Sequence, residues 1–256
     1  MPAVLEGPLL AWYGRQARDL PWRRTRDPYA ILVSEVMLQQ TQVVRVVPRF
    51  EAWMARWPTA AALAAASLAD VLAAWVGLGY NRRAVRLREA CAVVARDGWP
   101  ADLSSLPGIG PYTAAAVGAF AFGREELPVD TNVRRVLERT GWTPAVPTPQ
   151  VGQALMELGA LVCRARAAAC GDCPLAGAGC ASAGRVAVAP RRRGPAAPKE
   201  RFEATNRWVR GRVVAALAAG EELPADLEPG RLAHAVEGLV RDGLVVRADG
   251  GLSLPV

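Results

Sequence analysis

Apolar positions recur every three to four residues through most of the first 183 residues. The spacing is plain in "GPLLAWYGRQA", "VVRVVPRFEAWMARW", "LADVLAAWVGLG" and "RRAVRLREACAVVARDG", and it predicts a succession of helices. Pro58, Gly77, Gly79, Pro100 and Pro107 punctuate them. Convincing period-two alternation is absent from this part, so the expected fold is mostly α over residues 1–183. Residues 184–204, "GRVAVAPRRRGPAAPKERFEA", lose the pattern. Proline, glycine and three successive arginines mark a linker there. From 205 to 256 the pattern returns as two helices, "RWVRGRVVAALAAG" and "GRLAHAVEGLVRDG". They are followed by "LVVRADGGLSLPV", which alternates around an Asp-Gly-Gly turn as a β-hairpin does.

Two helices and a hairpin in about fifty residues make a small α+β unit that is winged-helix-like. Such units bind DNA or pack against proteins, and the pattern does not choose between these. His234, on the second of these helices among apolar neighbours, reads as structural rather than as a ligand. Cys91, alone in a helical pattern, reads as a buried apolar residue.

Three short stretches carry candidate chemistry. "VSEVMLQQTQVV", residues 33–44, reads as an apolar helix on which Glu35 is the only charge. A lone carboxylate in such a setting is expected to hold its proton near neutrality, the property of a general acid. In "LPGIGPYTAAAVGAF", Gly108 and Gly110 form a tight turn between two helices and Pro111 starts the second. Backbone amides at such a turn suit a phosphate. In "LPVDTNVRRVLER", Asp130 precedes a basic amphipathic helix, where by itself it reads as an N-cap.

Charge and cysteine usage narrow the class. The net charge is +7, and of 31 basic residues only Lys199 is a lysine. An arginine-rich basic chain fits a polyanionic partner through the guanidinium fork, and it equally fits a GC-rich genome. The opening residues turn polar too soon for a secretory signal, and no run of about eighteen apolar residues is present. A cytoplasmic protein without a membrane segment is expected. Four of the five cysteines, Cys163, Cys170, Cys173 and Cys180, fall within eighteen residues at intervals of six, two and six. In a reducing compartment that clustering points to a metal site, either zinc or a [4Fe–4S] cluster.

Together these pieces resemble the helix-hairpin-helix DNA glycosylases that carry an iron–sulfur cluster, over roughly residues 8–183. Within that superfamily "LPWR", "DPYAILVSEVMLQQTQV", "GLGY", "LPGIGPYTAAAV", "VDTNV" and "MELGALVC" resemble the MutY-type adenine DNA glycosylases. The resemblance implies a two-lobed helical glycosylase domain with its cluster loop at 163–180, ligated by the four clustered cysteines. The last cysteine interval departs from the usual five residues by one insertion, "PLAGAG". Arg164 and Arg166 of that loop are placed to touch the DNA backbone.

By the same resemblance Glu35 is the catalytic acid, Asp130 stabilises positive charge developing on the sugar, and Tyr112 helps to position the acid. Gln40 and Tyr80 insert at the mispair with Leu38 nearby, and Gly108 and Gly110 shape the phosphate-binding hairpin. Arg23 and Asn132 contact the adenine or organise its pocket, and Gln153 is a further candidate. Strand-cutting relatives carry a lysine where Tyr112 stands, so a monofunctional enzyme that leaves an abasic site is implied. The implied partner is double-stranded DNA with adenine opposite 8-oxoguanine or guanine, bound by a monomer associated with the nucleoid. Two departures stand out. No Nudix-like C-terminal domain is recognisable, and Asn81 replaces the second of the paired tyrosines common after "GLG". The competing readings are a thymine or uracil mismatch glycosylase of the same superfamily, and a non-catalytic DNA-binding or redox-sensing protein that keeps the cluster.

Overall fold

In the computed structural model, residues 3–186, 201–248 and 251–256 are described. Their helices are α1 (Ala3–Gln16), α2 (Pro28–Leu38), α3 (Val43–Arg56), α4 (Ala60–Ala65), α5 (Leu68–Trp75) and α6 (Arg82–Asp97). There follow α7 (Pro111–Phe122), α8 (Thr131–Thr140), α9 (Pro149–Leu161), α10 (Asn206–Ala219) and α11 (Pro229–Arg241). A hairpin of β1 (Val246–Ala248) and β2 (Gly251–Ser253) ends the chain, antiparallel, with Val246 opposite Ser253 and Ala248 opposite Gly251. The mostly helical expectation holds. Most of the expected linker, residues 187–200, and its lone lysine lie outside the described residues. No helix among the described residues is long and apolar enough to cross a membrane.

The chain forms two compact units that do not follow its order. Of the described residues, the first comprises 3–32, 102–104 and 109–186, and the second comprises 33–101, 105–108 and those from 201 onward. In the first, α9 is the centre: α1 and α8 both pack on it. Leu5, Leu9 and Trp12 of α1, Val133 and Val136 of α8, and Val151, Leu155 and Leu158 of α9 share one apolar core. Removing a single such leucine side chain from water is worth about 2 kcal/mol.

In the second unit α4 and α5 pack on α6, and α10 packs on α5. Trp53 anchors this unit, edge-on to Trp57 at 4.7 Å and to Trp75 at 5.4 Å between ring centroids. The expected C-terminal helices and hairpin are present, with a small core of their own from Val209, Leu227 and Ala235 and a larger one that they share with α5. Val213, Val214, Val236, Leu239, Leu244 and Leu254 close around Leu72 of α5, with Leu68 and Val76 alongside. The apolar faces of α10 and α11 are thus completed by a helix 130 or more residues earlier in the chain (Leu72 to Val213). His234 departs from its sequence reading, for its side chain is exposed on α11. Cys91 follows its own: it is fully buried, and burial pushes its thiol up to about 12.

Candidate active site and DNA-contacting elements

The expected helix over residues 33–44 is broken. α2 ends at Leu38, and Gln40 takes a left-handed backbone with φ 55° before α3 begins at Val43. Glu35 lies three residues before the break, buried with 7% of its surface exposed, between Val33 and Val36 at 0% and 3%. Tyr80, at the end of "GLGY", is the other non-glycine residue with positive φ among the described residues, at 49°. An L-residue held there costs about 1–3 kcal/mol and persists only where its surroundings impose it.

One side chain imposes both bends. Arg83, on the first turn of α6, sends Nη1 to the carbonyls of Val36, Met37 and Gln39 at 2.8, 3.2 and 2.7 Å. Its Nη2 reaches the carbonyls of Leu78 and Gly79, each at 2.9 Å. Val36 and Met37 are in the last turn of α2, where a terminating helix leaves carbonyls without partners; Gln39 lies just past its end, and the last two lead directly into Tyr80. The guanidinium also lies 5.2 Å from the Trp75 ring centroid and 5.7 Å from that of Tyr80. Burial pulls it down to about 10, still cationic at neutrality. Sequence reasoning missed Arg83, although it stands three residues after the quoted "GLGY" segment.

The Gly-x-Gly hairpin forms as expected. Gly108 has φ 75°, and a Cβ built on it would lie 2.6 Å from the Arg86 Cβ, so glycine is required. Gly110 is the extended N-cap of α7, with Pro111 at its first position and the half-buried Tyr112 next.

In the first unit the other quoted motifs assemble around α8 and α9. Asp130 caps α8: its Oδ1 accepts from the amides of Asn132 and Val133 at 2.8 and 2.7 Å. Its Oδ2 accepts from Asn132 Nδ2 at 2.8 Å, which fixes the direction of the whole carboxylate. Arg135 then donates to Asn132 Oδ1 and to the carbonyls of Gly159 and Cys163, at 2.7, 2.6 and 2.7 Å. Gly159 must be glycine, since a Cβ there would meet Asn132 Cβ at 2.7 Å. Asp130 and Asn132 are therefore one hydrogen-bonded element, and it is also an N-cap.

Arg23 is held from behind by a residue that the motif "MELG" contains but that sequence reasoning did not single out. Glu157 is fully buried on α9 and accepts from Arg23 Nη2 at 2.8 Å and from Arg18 Nε and Nη2 at 2.7 and 2.8 Å. Burial alone would raise its carboxyl, but the two guanidinium groups outweigh it and hold it down at about 2. Arg23 lies 5.6 Å from the Tyr13 ring centroid, and the Tyr13 hydroxyl donates to Gln153 Oε1 at 2.8 Å. A charged residue in the apolar run of α9 was the available signal.

Cys163, Cys170, Cys173 and Cys180 line one small cavity of about 20 Å³, walled by Val136, Leu158 and Leu175. Arg139 Nη1 lies 3.5 Å from Cys163 Sγ and donates to the Arg164 carbonyl at 2.8 Å. Among the described residues no three His, Cys, Asp or Glu side chains are grouped as a single-ion site. Four sulfur donors around one apolar cavity, with a guanidinium against one of them, fit the donor set of an iron–sulfur cluster. Arg164 and Arg166 are exposed on this loop.

Residues 33–160, half of the chain, match the model of the HhH-GPD superfamily of base excision DNA repair proteins. The chain belongs to this superfamily. Among its relatives, the adenine DNA glycosylase of Mycobacterium tuberculosis (strain ATCC 25618 / H37Rv) is 44% identical, covering 96% of this chain and 92% of that protein. The human adenine DNA glycosylase is 39% identical over 67% of this chain and 38% of its own length. A thermostable thymine-DNA glycosylase of known structure superposes with a TM-score of 0.63 at 27% identity, over 69% of this chain and 94% of that one. A trapped endonuclease III–DNA covalent intermediate, at TM-score 0.56 and 24% identity over 69% and 92%, shares the fold. The HhH-GPD match spans Glu35, the Gln40 and Tyr80 bends, the glycine hairpin, Asp130 and Glu157, and stops just before the cysteine loop.

Proposed function

We propose that this HhH-GPD protein is a monofunctional adenine DNA glycosylase of base excision repair, acting on adenine opposite 8-oxoguanine or guanine in double-stranded DNA. The observation that carries the choice of adenine is the similarity to adenine DNA glycosylases along 96% of the chain, C-terminal segment included. Adenine must leave the stack to be reached. Gln40 and Tyr80 enter the duplex at the mispair, with Leu38 beside them, and Arg83 keeps both bends in the required backbone. Glu35 gives its proton to N7 of the extruded adenine, which converts the base into a leaving group. As the bond from C1′ to the base breaks, the Asp130 carboxylate faces the cationic sugar. The base departs, water adds at C1′ and its proton returns to the Glu35 carboxylate, so an abasic site remains.

Tyr112 positions the acid, Arg23 and Asn132 organise the base pocket, and the Gly108–Gly110 hairpin offers amides to a phosphate. With tyrosine at position 112, no lysine stands where a strand-cutting relative carries its nucleophile. Cys163, Cys170, Cys173 and Cys180 would hold a [4Fe–4S] cluster, which would brace the loop bearing Arg164 and Arg166. We further assign a monomer that works in the cytoplasm on the nucleoid, with residues 1–183 as the glycosylase domain and 205–256 as a winged-helix-like unit.

The thymine mismatch reading keeps one specific support, the similarity in structure to a thymine-DNA glycosylase. Labelled duplexes with one adenine opposite 8-oxoguanine, guanine, cytosine or thymine, and one with thymine opposite guanine, separate the two. Alkali-dependent cleavage at adenine, strongest opposite 8-oxoguanine or guanine, is the expected result. Cleavage confined to the thymine of the last duplex would replace this reading, and cleavage without alkali would overturn the monofunctional assignment.

A further inference from the structure

Tyr80 has a neighbour contributed by the C-terminal segment. Within the second unit the Arg207 guanidinium, on the first turn of α10, hydrogen-bonds to the Tyr80 hydroxyl. It lies between two rings, 4.9 Å from the Tyr80 centroid and 5.0 Å from that of Phe202. Beside this contact is an open pocket of about 510 Å³, bordered by Tyr80, Arg82, Arg83, Asn206, Arg207 and Arg210. Four arginines thus border one space, and among the described residues Asp242 pairs with two of them, 2.5 Å from Arg210 and 3.8 Å from Arg82. Arg83 is committed to main-chain carbonyls, whereas Arg82 is 63% exposed. Asn206 brings the positive end of the α10 dipole to the same rim. Like charges gathered in this way repel one another and weaken the fold unless an anion joins them.

We propose that this pocket receives a backbone phosphate of the duplex next to the inserted Tyr80, which makes the C-terminal segment part of the DNA-binding surface. Arg82 and Arg207 supply the fork geometry that suits a phosphate, and Arg207 at the same time steadies the tyrosine. The inference rests on the reading above that Tyr80 enters the duplex.

The test is a binding titration of the full-length protein against salt. The duplex carries a non-cleavable 2′-fluoro adenosine opposite 8-oxoguanine. Arg82→Ala and Arg207→Ala are each expected to weaken binding about eightfold near 0.1 M salt, from the loss of one phosphate contact. Each should make the slope of log K against log salt shallower by about 1, and the double variant by about 2. Arg212→Ala removes the same charge from another face of α10 and should stay within twofold of wild type. Arg207→Lys should keep the slope. An unchanged slope in the double variant, or an equal loss in Arg212→Ala, would overturn the proposal. The duplex cannot be cut, so failure here leaves the adenine-release reading standing. Failure of wild type to release a cleavable adenine would sink that reading without altering these slopes.

Discussion

The two compact units bury charged groups in opposite ways. In the first, a carboxylate with no exposed surface, Glu157, is answered by Arg18 and Arg23, and the three charges lock one another in place. In the second, the half-buried guanidinium of Arg83 is answered by five main-chain carbonyls, and among the described residues it has no ion pair. Mutual pairing fixes side chains, so the Glu157 trio sets where the Arg23 fork points. Carbonyl capping fixes backbone, so Arg83 sets the course of the chain at Gln40 and Tyr80. On the proposed function, the first device would set the wall of the base pocket and the second would hold the bent segments that enter the duplex.

Breaking the ionic device should have the largest effect on folding. Glu157→Gln leaves two guanidinium groups without their anion, and a loss of about 3–5 kcal/mol is expected in urea unfolding. Acid sharpens the same point. The Glu157 carboxyl titrates at about 2 when folded and near 4.5 when unfolded. Its stabilisation is therefore complete above about pH 4.5 and disappears as the pH falls toward 2. That contribution is worth roughly 3 kcal/mol. The gap in unfolding free energy between wild type and Glu157→Gln should narrow across that window, and a constant gap would contradict the pairing.

Breaking the carbonyl device should cost less stability and more function. Arg83→Ala is expected to lose about 2 kcal/mol in the same unfolding assay. Its single-turnover base release should fall about 100-fold, the cost of roughly 1 Å of misplacement. Arg83→Lys keeps the charge but cannot span both carbonyl groups, so it should fold nearly normally and still release base slowly. Equal activity in wild type and Arg83→Lys would remove Arg83 from its positioning role. The smallest effect belongs to Arg24→Ala, which deletes an exposed pair with Asp19. It should leave the unfolding midpoint unchanged.

The helices were legible because their apolar faces repeat locally, and the β-hairpin because an Asp-Gly-Gly turn is a local signal. Glu35, Asp130 and the clustered cysteines were legible because each is chemically out of place in its segment. Gln40 and Tyr80 were named from the resemblance, but their left-handed backbone was not foreseen, since neither residue type encodes a positive φ. That geometry comes from Arg83, one arginine in a chain that has only one lysine among 31 basic residues, and its partners lie up to 47 positions away. The C-terminal segment read as a unit of its own because periodicity shows that a face is apolar without showing what covers it. Leu72 covers it, and no local pattern links Leu72 to Val213.

The central claim is that Glu35 is the proton donor for base release. It is tested most directly by Glu35→Gln on a duplex with adenine opposite 8-oxoguanine, with enzyme in excess and abasic sites developed by alkali. Glutamine matches the shape of the carboxyl group and has no acidic proton. Release of adenine should be abolished while affinity for the duplex stays within a fewfold of wild type. Base release by Glu35→Gln at a rate near that of wild type would contradict it.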